Sequence, residues 1–379
     1  MNPIKVTKRR LEDVVKRRIR MKQKTDKWNM DGCKLLWHMP RVEAHFKHKE
    51  RIAPLHIDMA CTKLCNASCV YCYGIKQNMS GATLSREPLL DLFRTAHQLG
   101  VKSITMTGDG ENTLNPHMYD ALELGKKKGL DLGLATNGIA LDVEKIRKLV
   151  STCTWLRFNL SAIGSEGYKS IHGVPQWERV QANIDTAVRI NEELGSPCTI
   201  GLQMVLIPEA LEYVIPEAAW AVSTGVDYFV VKQFSDPGNE EMSQFDLKWY
   251  DDDVLKSTLE TAESLSNEKT QIVIKWARID QKGKRPYNQC YDAPLLFQIS
   301  GNGKCYPCGY LFGDDRYCYG DLNTQSLAEI LASEHYWKLI EYMQKYFNVH
   351  KDCMGCCRHD GTNQFMEEYL NPPDHLNFI

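Results

Sequence analysis

Between residues 55 and 234, short apolar runs alternate with longer stretches of helical period. The runs LHIDMA (55–60), SITMTG (103–108), LGLATN (132–137), WLRFNLS (155–161), TIGLQMVL (199–206) and YFVVKQF (228–234) are short, rich in aliphatic residues and bounded by turn residues, as strands are. Segments 84–99, 117–128, 141–150, 176–194 and 211–223 lie between them and have the length and spacing of amphipathic helices. This alternation predicts parallel βαβ units. Six strands in series fit either an open doubly wound sheet or an incomplete barrel, and period alone does not choose.

After residue 234 the style changes. The stretch SDPGNEEMSQFDLKWYDDD (235–253) combines turn residues with excess acid and marks a boundary. A helix over 253–266 bridges to residues 271–320, where short strands and Gly-rich turns include a hairpin at GNGK (301–304). Residues 326–347 are helical. CMGCCRHDGTNQF is irregular and leads into a last helix. At the other end, residues 1–24 carry ten Lys or Arg and a weak helical period, read as a solvated helix. The expected units are a basic extension (1–51), a core (52–235), a linker with its bridging helix (236–270) and a C-terminal domain (271–379).

Composition narrows the class. Of 379 residues, 43% are hydrophobic and 25% charged, the balance of an ordinary globular protein. A formal net charge of −2 gives no global field toward nucleic acid or membrane. No run has the length of a membrane span, and no apolar segment of signal-peptide type follows the basic N-terminus. The expected compartment is the cytoplasm. Fourteen cysteines are many for such a protein, and in a reducing compartment clustered cysteines point to metal binding or catalysis. Cys33, Cys153 and Cys198 stand alone and read as small buried hydrophobes. The others group at 61–72, 290–318 and 353–357.

In CTKLCNASCVYCYG (61–74), Cys65, Cys69 and Cys72 have the spacing C-x3-C-x2-C. Three thiolates on one short loop can hold three irons of a cubane and leave the fourth iron without a protein ligand. A zinc site would need a fourth ligand, and the nearest, His56, sits inside a strand. Cys61 breaks the frame and is set aside. This spacing, with aromatic Tyr71 before the last cysteine, resembles the signature of the radical S-adenosylmethionine (SAM) superfamily. The rest of the chain is similar to that family in order. TGDGENTLNP (107–116) resembles its Gly-Gly-Glu-Pro segment, with Gly110 and Glu111 matching and Asp109 and Asn112 departing. ATNG (135–138) contains Asn137, RFNLSA (157–162) contains Asn159 and Ser161, and strand five contains Gln203. The resemblance covers about residues 52–235. It implies a partial (β/α)6 barrel, a [4Fe–4S] cluster with SAM on its open iron, and SAM contacts from Gly110, Glu111, Asn137, Asn159, Ser161 and Gln203, with Tyr71 on the cluster loop. It also implies a reductant such as flavodoxin or ferredoxin.

Cys290, Gly303 and Cys308 form C-x12-G-x4-C, and Cys353 and Cys356 form C-x2-C, followed at once by Cys357. Spacing alone leaves a closed [4Fe–4S] cluster and a zinc site equally open. The pattern resembles the SPASM/twitch extension of the same superfamily. Lacking the further cysteines of a full SPASM domain, it looks like the shortened twitch form of the aminocyclitol dehydrogenases, with one auxiliary cluster on Cys290, Cys308, Cys353 and Cys356. Cys357 is an alternative ligand to Cys356. Cys305, Cys318 and Cys357 are candidate hydrogen-atom donors of the kind used by the family's sugar epimerases, and Lys232 is a candidate substrate contact. His359 and Asp360 are expected to orient the last cysteine loop, and Tyr306, Tyr310, Tyr317 and Tyr319 to shield a cluster from water. The resemblance implies oxidation of a small carbohydrate or aminocyclitol, with redox-neutral epimerisation and peptide maturation as alternatives.

Overall fold

On each central run the residues that pack under the helices alternate with residues that face the other way, so a curved sheet with two distinct faces follows from the period of two. The computed structural model describes residues 32–74, 80–235, 246–281, 284–355, 357–375 and 377. The basic N-terminal helix expected over residues 1–24, and Cys356, lie outside these. The runs form β1 (His56–Met59), β2 (Ser103–Met106), β3 (Asp131–Thr136), β4 (Trp155–Asn159), β5 (Thr199–Leu206) and β6 (Tyr228–Gln233), paired in parallel and in chain order. Ile57, Ile104, Leu134, Leu156, Leu202 and Phe229 point outward and are fully buried. They lie under α2 (Arg86–Leu99), α3 (Met118–Lys127), α4 (Val143–Thr152), α6 (Trp177–Glu193) and α7 (Val214–Thr224), while α1 (Met39–Phe46) precedes β1.

Three features differ from the sequence expectation. The helix α5 (Ser165–His172) has only eight residues, with Tyr168, Ile171 and His172 on its buried face, too short for a repeat to be read. Two further strands, β7 (Gln271–Ile274) and β8 (Leu296–Ile299), extend the parallel sheet past β6 and before β1. Each has four residues, too few for a period to be read, and each lies beyond the acidic boundary. The hairpin does form: β8 turns through Gly303 (φ +88°) into antiparallel β9 (Lys304–Tyr306), which pairs with β10 (Gly320–Asp321). The chain connects to β7 through α8 (Asp253–Glu263) and leaves it through α9 (Trp276–Gln281). It ends in α10 (Leu327–Ala332), α11 (Glu334–Lys345) and α12 (Asp360–Leu370). The Tyr369 hydroxyl on α12 donates to Glu43 on α1 at 2.8 Å and ties the C-terminal unit to the helix before β1.

The inward face carries His56, Asp58, Arg157, Asn159, Gln203, Lys232 and Gln298. Asp58 on β1, Arg157 on β4 and Lys232 on β6 all sense the Arg358 guanidinium, as strands curling round a shared interior require. Trp155 and Tyr228 fill the interior toward the strands' amino ends. A Cβ on Gly133 would lie 2.2 Å from the Trp155 ring, and one on Gly201 2.1 Å from the Tyr228 ring, so both positions need glycine. Among the described residues, no helix is long and apolar enough to cross a membrane.

Glu217 on α7 is fully buried, and neither carboxylate oxygen meets a hydrogen-bond partner among the described residues. Burial pushes its pKa well above the carboxylate range. A carboxyl raised in this way stabilises the fold fully below its unfolded pKa and loses that contribution as pH rises through the folded value. Glu217→Gln is therefore expected to gain stability relative to the parent as pH goes from 5 to 8, by upwards of ~1 kcal/mol. Urea midpoints at the two pH values check this, and a pH-independent difference would refute it.

Candidate functional site

The loop from Cys65 to Cys72 follows β1 and docks on the end of α5. The last carbonyls of that helix have no intrahelical partner, and the loop supplies one for each. Ser68 N–H donates to the His172 carbonyl (3.0 Å) and Val70 N–H to the Ile171 carbonyl (3.0 Å). The helix stops at Gly173 in the left-handed region (φ +73°), where a Cβ would lie 2.7 Å from the Ser68 carbonyl oxygen. On the other side the loop is pressed against the β2 turn: a Cβ on Gly110 would lie 2.1 Å from the Thr62 carbonyl oxygen.

The thiols of Cys65, Cys69 and Cys72 lie near enough to raise one another's pKa. Burial comes first among the causes and pushes Cys65 up to about 11 and Cys69 up to about 12. Donors already surround these sulfurs. The backbone N–H groups of Ala67 and Asn66 favour a Cys65 thiolate, and the Tyr71 hydroxyl favours a Cys69 thiolate. Asn137 Nδ2 donates to Asn66 Oδ1 (2.7 Å) and lies 3.9 Å from Cys65 Sγ. A cubane asks for exactly such a set: thiols that give up protons to iron and N–H or O–H donors that then hold the sulfur charge. Among the described residues no three His, Cys, Asp or Glu side chains converge on one point as ligands of a single ion do. A cubane instead spreads its thiolates over separate corner irons.

His172 belongs to this site and was not found from sequence, because a lone histidine at the end of a short helix has no marking pattern. It is fully buried and stacks on Tyr168 (centroids 4.4 Å apart, planes at 24°). Its Nε2 accepts from Ser161 N–H at 3.1 Å, so its proton sits on Nδ1, 3.2 Å from Cys69 Sγ. Burial holds its pKa down to about 3, which keeps the ring neutral and this tautomer in place at neutral pH.

The structure brings the expected SAM residues into two groups. In one, the Tyr71 hydroxyl accepts from Asn159 Nδ2 (2.7 Å) and Ser161 Oγ (3.1 Å), Gln203 Nε2 donates to Asn159 Oδ1 (3.1 Å), and Ser161 Oγ accepts from Val205 N–H (3.0 Å). In the other, Glu111 Oε1 accepts from the N–H and hydroxyl of Thr113 and from the Thr136 hydroxyl, and Oε2 accepts from Asn137 N–H at 2.7 Å. Glu111 thus clamps the ends of β2 and β3 together. The two departures from the family form also have partners. Asn112 Oδ1 accepts from Cys61 N–H at 2.7 Å. Asp109 accepts from Ser300 Oγ (2.6 Å) and Gly301 N–H (2.9 Å), and pairs with Lys63 at 3.4 Å.

The second cysteine set gathers at the mouth of the interior. Cys357 hydrogen-bonds Cys353 and raises the pKa of both Cys290 and Cys308. Arg285 senses Cys353 and Cys357 and donates to the carbonyls of Val349 and Met354. Tyr73 is near both sets: burial, then Cys308 and Cys72, push its pKa up. His359 is buried between Asp58 (3.7 Å) and Asp292 (3.4 Å), and Asp360 accepts from the Tyr287 hydroxyl at 2.7 Å. Tyr306, Tyr317 and Tyr319 are buried, and Tyr319 senses Cys290 and Cys308. Cys305 and Cys318 are not brought into the group. Cys305 pairs with Ile299 on the outward face and donates to the Gly303 carbonyl (3.6 Å), and Cys318 donates to the Gly320 carbonyl (3.4 Å).

Residues 59–214 match the model of the radical SAM superfamily, and residues 290–357 match the SPASM iron–sulfur cluster-binding domain. The tungsten-containing aldehyde ferredoxin oxidoreductase cofactor-modifying protein of Pyrococcus furiosus is 23% identical over 322 residues, covering 80% of this chain and 87% of that protein. A probable GTP 3′,8-cyclase of Archaeoglobus fulgidus is 29% identical over 154 residues, 40% of this chain and 47% of the cyclase. Among solved structures, Streptococcus suis SuiB bound to its precursor peptide SuiA superposes with a TM-score of 0.61 at 16% identity, over 88% of this chain and 77% of SuiB. Native anSMEcpe with bound AdoMet superposes at 0.56 and 16% identity, over 84% of this chain and 95% of that one. At these identities the likeness is one of fold. A radical SAM domain carries a [4Fe–4S] cluster that binds SAM, and a SPASM domain carries auxiliary iron–sulfur clusters.

The N–H aimed at Cys69 sets an expectation for the first cluster. His172→Phe keeps a ring against Tyr168 and removes the donor. Hydrogen bonds to cluster sulfur raise the reduction potential, and a bond of ~1 kcal/mol corresponds to roughly 50 mV for one electron. The variant is expected to keep its iron and shift the cluster's midpoint down by about that much in an EPR-monitored titration. An unchanged midpoint would remove His172 from the site.

Proposed function

The chain belongs to the radical SAM superfamily and carries a SPASM domain, and from that premise we propose that it is an oxidoreductase acting on a C–H bond of a small polar substrate of carbohydrate or aminocyclitol type. The observation that carries this reading is that the two cysteine sets approach each other at Tyr73, whose hydroxyl senses both Cys308 and Cys72. Cys65, Cys69 and Cys72 would hold the first cluster, and Cys290, Cys308, Cys353 and Cys357 the auxiliary one. When bound, these groups and SAM supply a 5′-deoxyadenosyl radical that takes a hydrogen atom from an unactivated C–H bond, and an acceptor for the electron that an oxidation leaves over.

The chain's own residues prepare the chamber. Trp155 and Tyr228 close its floor against water, and Asn159, Gln203 and Gln298 offer neutral polar contacts on its wall. The Tyr71–Asn159–Gln203 chain holds the rim next to Cys69. Cys305 and Cys318 keep their thiol protons on backbone carbonyls outside this chamber, which favours oxidation over quenching by a thiol. In the cytoplasm, flavodoxin or ferredoxin would deliver the electrons.

Anaerobically reconstituted parent protein is expected to hold about eight irons, and a Cys65/Cys69/Cys72→Ala variant about four. Reduced parent is expected to cleave SAM to 5′-deoxyadenosine and the variant not to. Cys357→Ala should lose the auxiliary irons while Cys356→Ala keeps them. About four irons in the parent and none in the triple variant, with one zinc in each, would defeat the oxidoreductase reading.

A further inference from the structure

Four cations reach the interior from separate elements: Arg157 from β4, Lys232 from β6, Arg278 from α9, and Arg358 from the loop before α12. Asp58 on β1 pairs with one of them. Asp58 is buried, which pushes its pKa up, but Arg358 and His56 hold it well below the carboxylate range. Arg358 Nη1 lies 2.9 Å from Asp58 Oδ2, so that pair is balanced. The nearby Asp292 lies 3.4 Å from His359, which is itself 3.7 Å from Asp58. Arg278 donates to the carbonyls of Cys357 (3.2 Å) and Arg358 (2.6 Å), which fixes the loop without neutralising the charge.

The two cations on the strand side are left over. Arg157 lies against the Trp155 ring (5.1 Å) and shares the Tyr228 hydroxyl, but its Nε is buried without a hydrogen-bond partner. Lys232 has no hydrogen bond or ion pair among the described residues. Burial, then Arg157, Arg278, Arg358 and Lys275, drive its pKa well below that of an ordinary lysine. Holding like charges together out of water costs stability unless an anion joins them.

We propose that this interior is an oxyanion site, and that the substrate carries a phosphoryl group bound by Lys232 and Arg157 from the strand side with Arg278 and Arg358 closing over it. The inference rests on reading the interior as the substrate chamber. A doubly charged phosphoryl group offers more charge and more acceptor oxygens to several cations than a singly charged carboxylate does, and guanidinium forks fit its oxygens.

The test uses holoprotein with both clusters reconstituted and SAM present, and inorganic phosphate as probe against acetate and chloride at matched ionic strength. Phosphate is expected to raise the thermal midpoint of the parent saturably. Lys232→Met is expected to raise the midpoint without phosphate, because the unpaired charge is gone, and to lose the phosphate-dependent gain. Arg157→Gln is expected to weaken phosphate at least tenfold by calorimetry, and Lys148→Met, on the surface of α4, to bind it as the parent does. Equal phosphate gains in the parent and both interior variants, no gain over chloride, or tighter binding of acetate than phosphate would overturn the proposal. Substrate-free SAM cleavage in the same preparations tests the oxidoreductase reading by itself. Cleavage without a phosphate effect removes the oxyanion site alone. A phosphate effect lost in Lys232→Met supports the site whatever the cleavage result.

Discussion

The cysteine loop depends on the last turn of α5. Eight residues that must present three thiols at fixed spacing cannot rely on a strand or helix of their own, and their backbone groups still need partners. The free carbonyls of Ile171 and His172 provide those partners, and the His172 ring fixes one sulfur from the same helix end. One short helix thus satisfies its own C-terminus, anchors the loop and orients Cys69. The stacking of His172 on Tyr168 and its bond from Ser161 N–H keep the ring from turning. The donor is in place before iron arrives, so little ordering remains to be done when the cluster assembles.

The interior divides into parts that are electrostatically complete and one that is not. Glu111 accepts four hydrogen bonds and Asp109 joins Lys63, Ser300 and Gly301. These carboxylates are buried but paired, as a stable fold requires. Lys232 and Arg157, on the inward faces of β6 and β4, stand apart from that pattern. A local rule broken amid satisfied neighbours is the expected mark of a functional position rather than of poor packing.

Much of this was legible in the sequence for a physical reason. The six central strands and the helices over them are written in aliphatic periodicity, and Cys65, Cys69 and Cys72 in a spacing that few other sites share. The strands β7 and β8 were not legible as part of the same sheet, because four residues carry no period and parallel pairing is non-local. His172 and α5 escaped for a similar reason: their role lies in what they touch, not in their spacing. Asn159, Ser161 and Gln203 were legible as residues matching a family pattern, but that they join through the Tyr71 hydroxyl depends on side-chain reach across three elements. That Cys357 hydrogen-bonds Cys353 depends on how the loop folds, which positions in a sequence do not reveal.

Asp109 and Asn112 show how a departure from a family pattern can carry information. A glycine at position 109 would serve a tight turn equally well, yet it could not accept from Ser300 and Gly301. Those residues begin the hairpin turn between β8 and β9, in the unit that bears the second cysteine set. Gly301 is packed so closely that a Cβ there would lie 2.2 Å from the Thr62 carbonyl carbon, two residues before Leu64, whose own carbonyl accepts from Glu111 N–H at 2.8 Å. The β2 turn, the first cysteine loop and the hairpin are therefore locked into one buried contact. Cys308 directly follows this hairpin, so its separation from the first cysteine loop is set by packing rather than by a flexible joint.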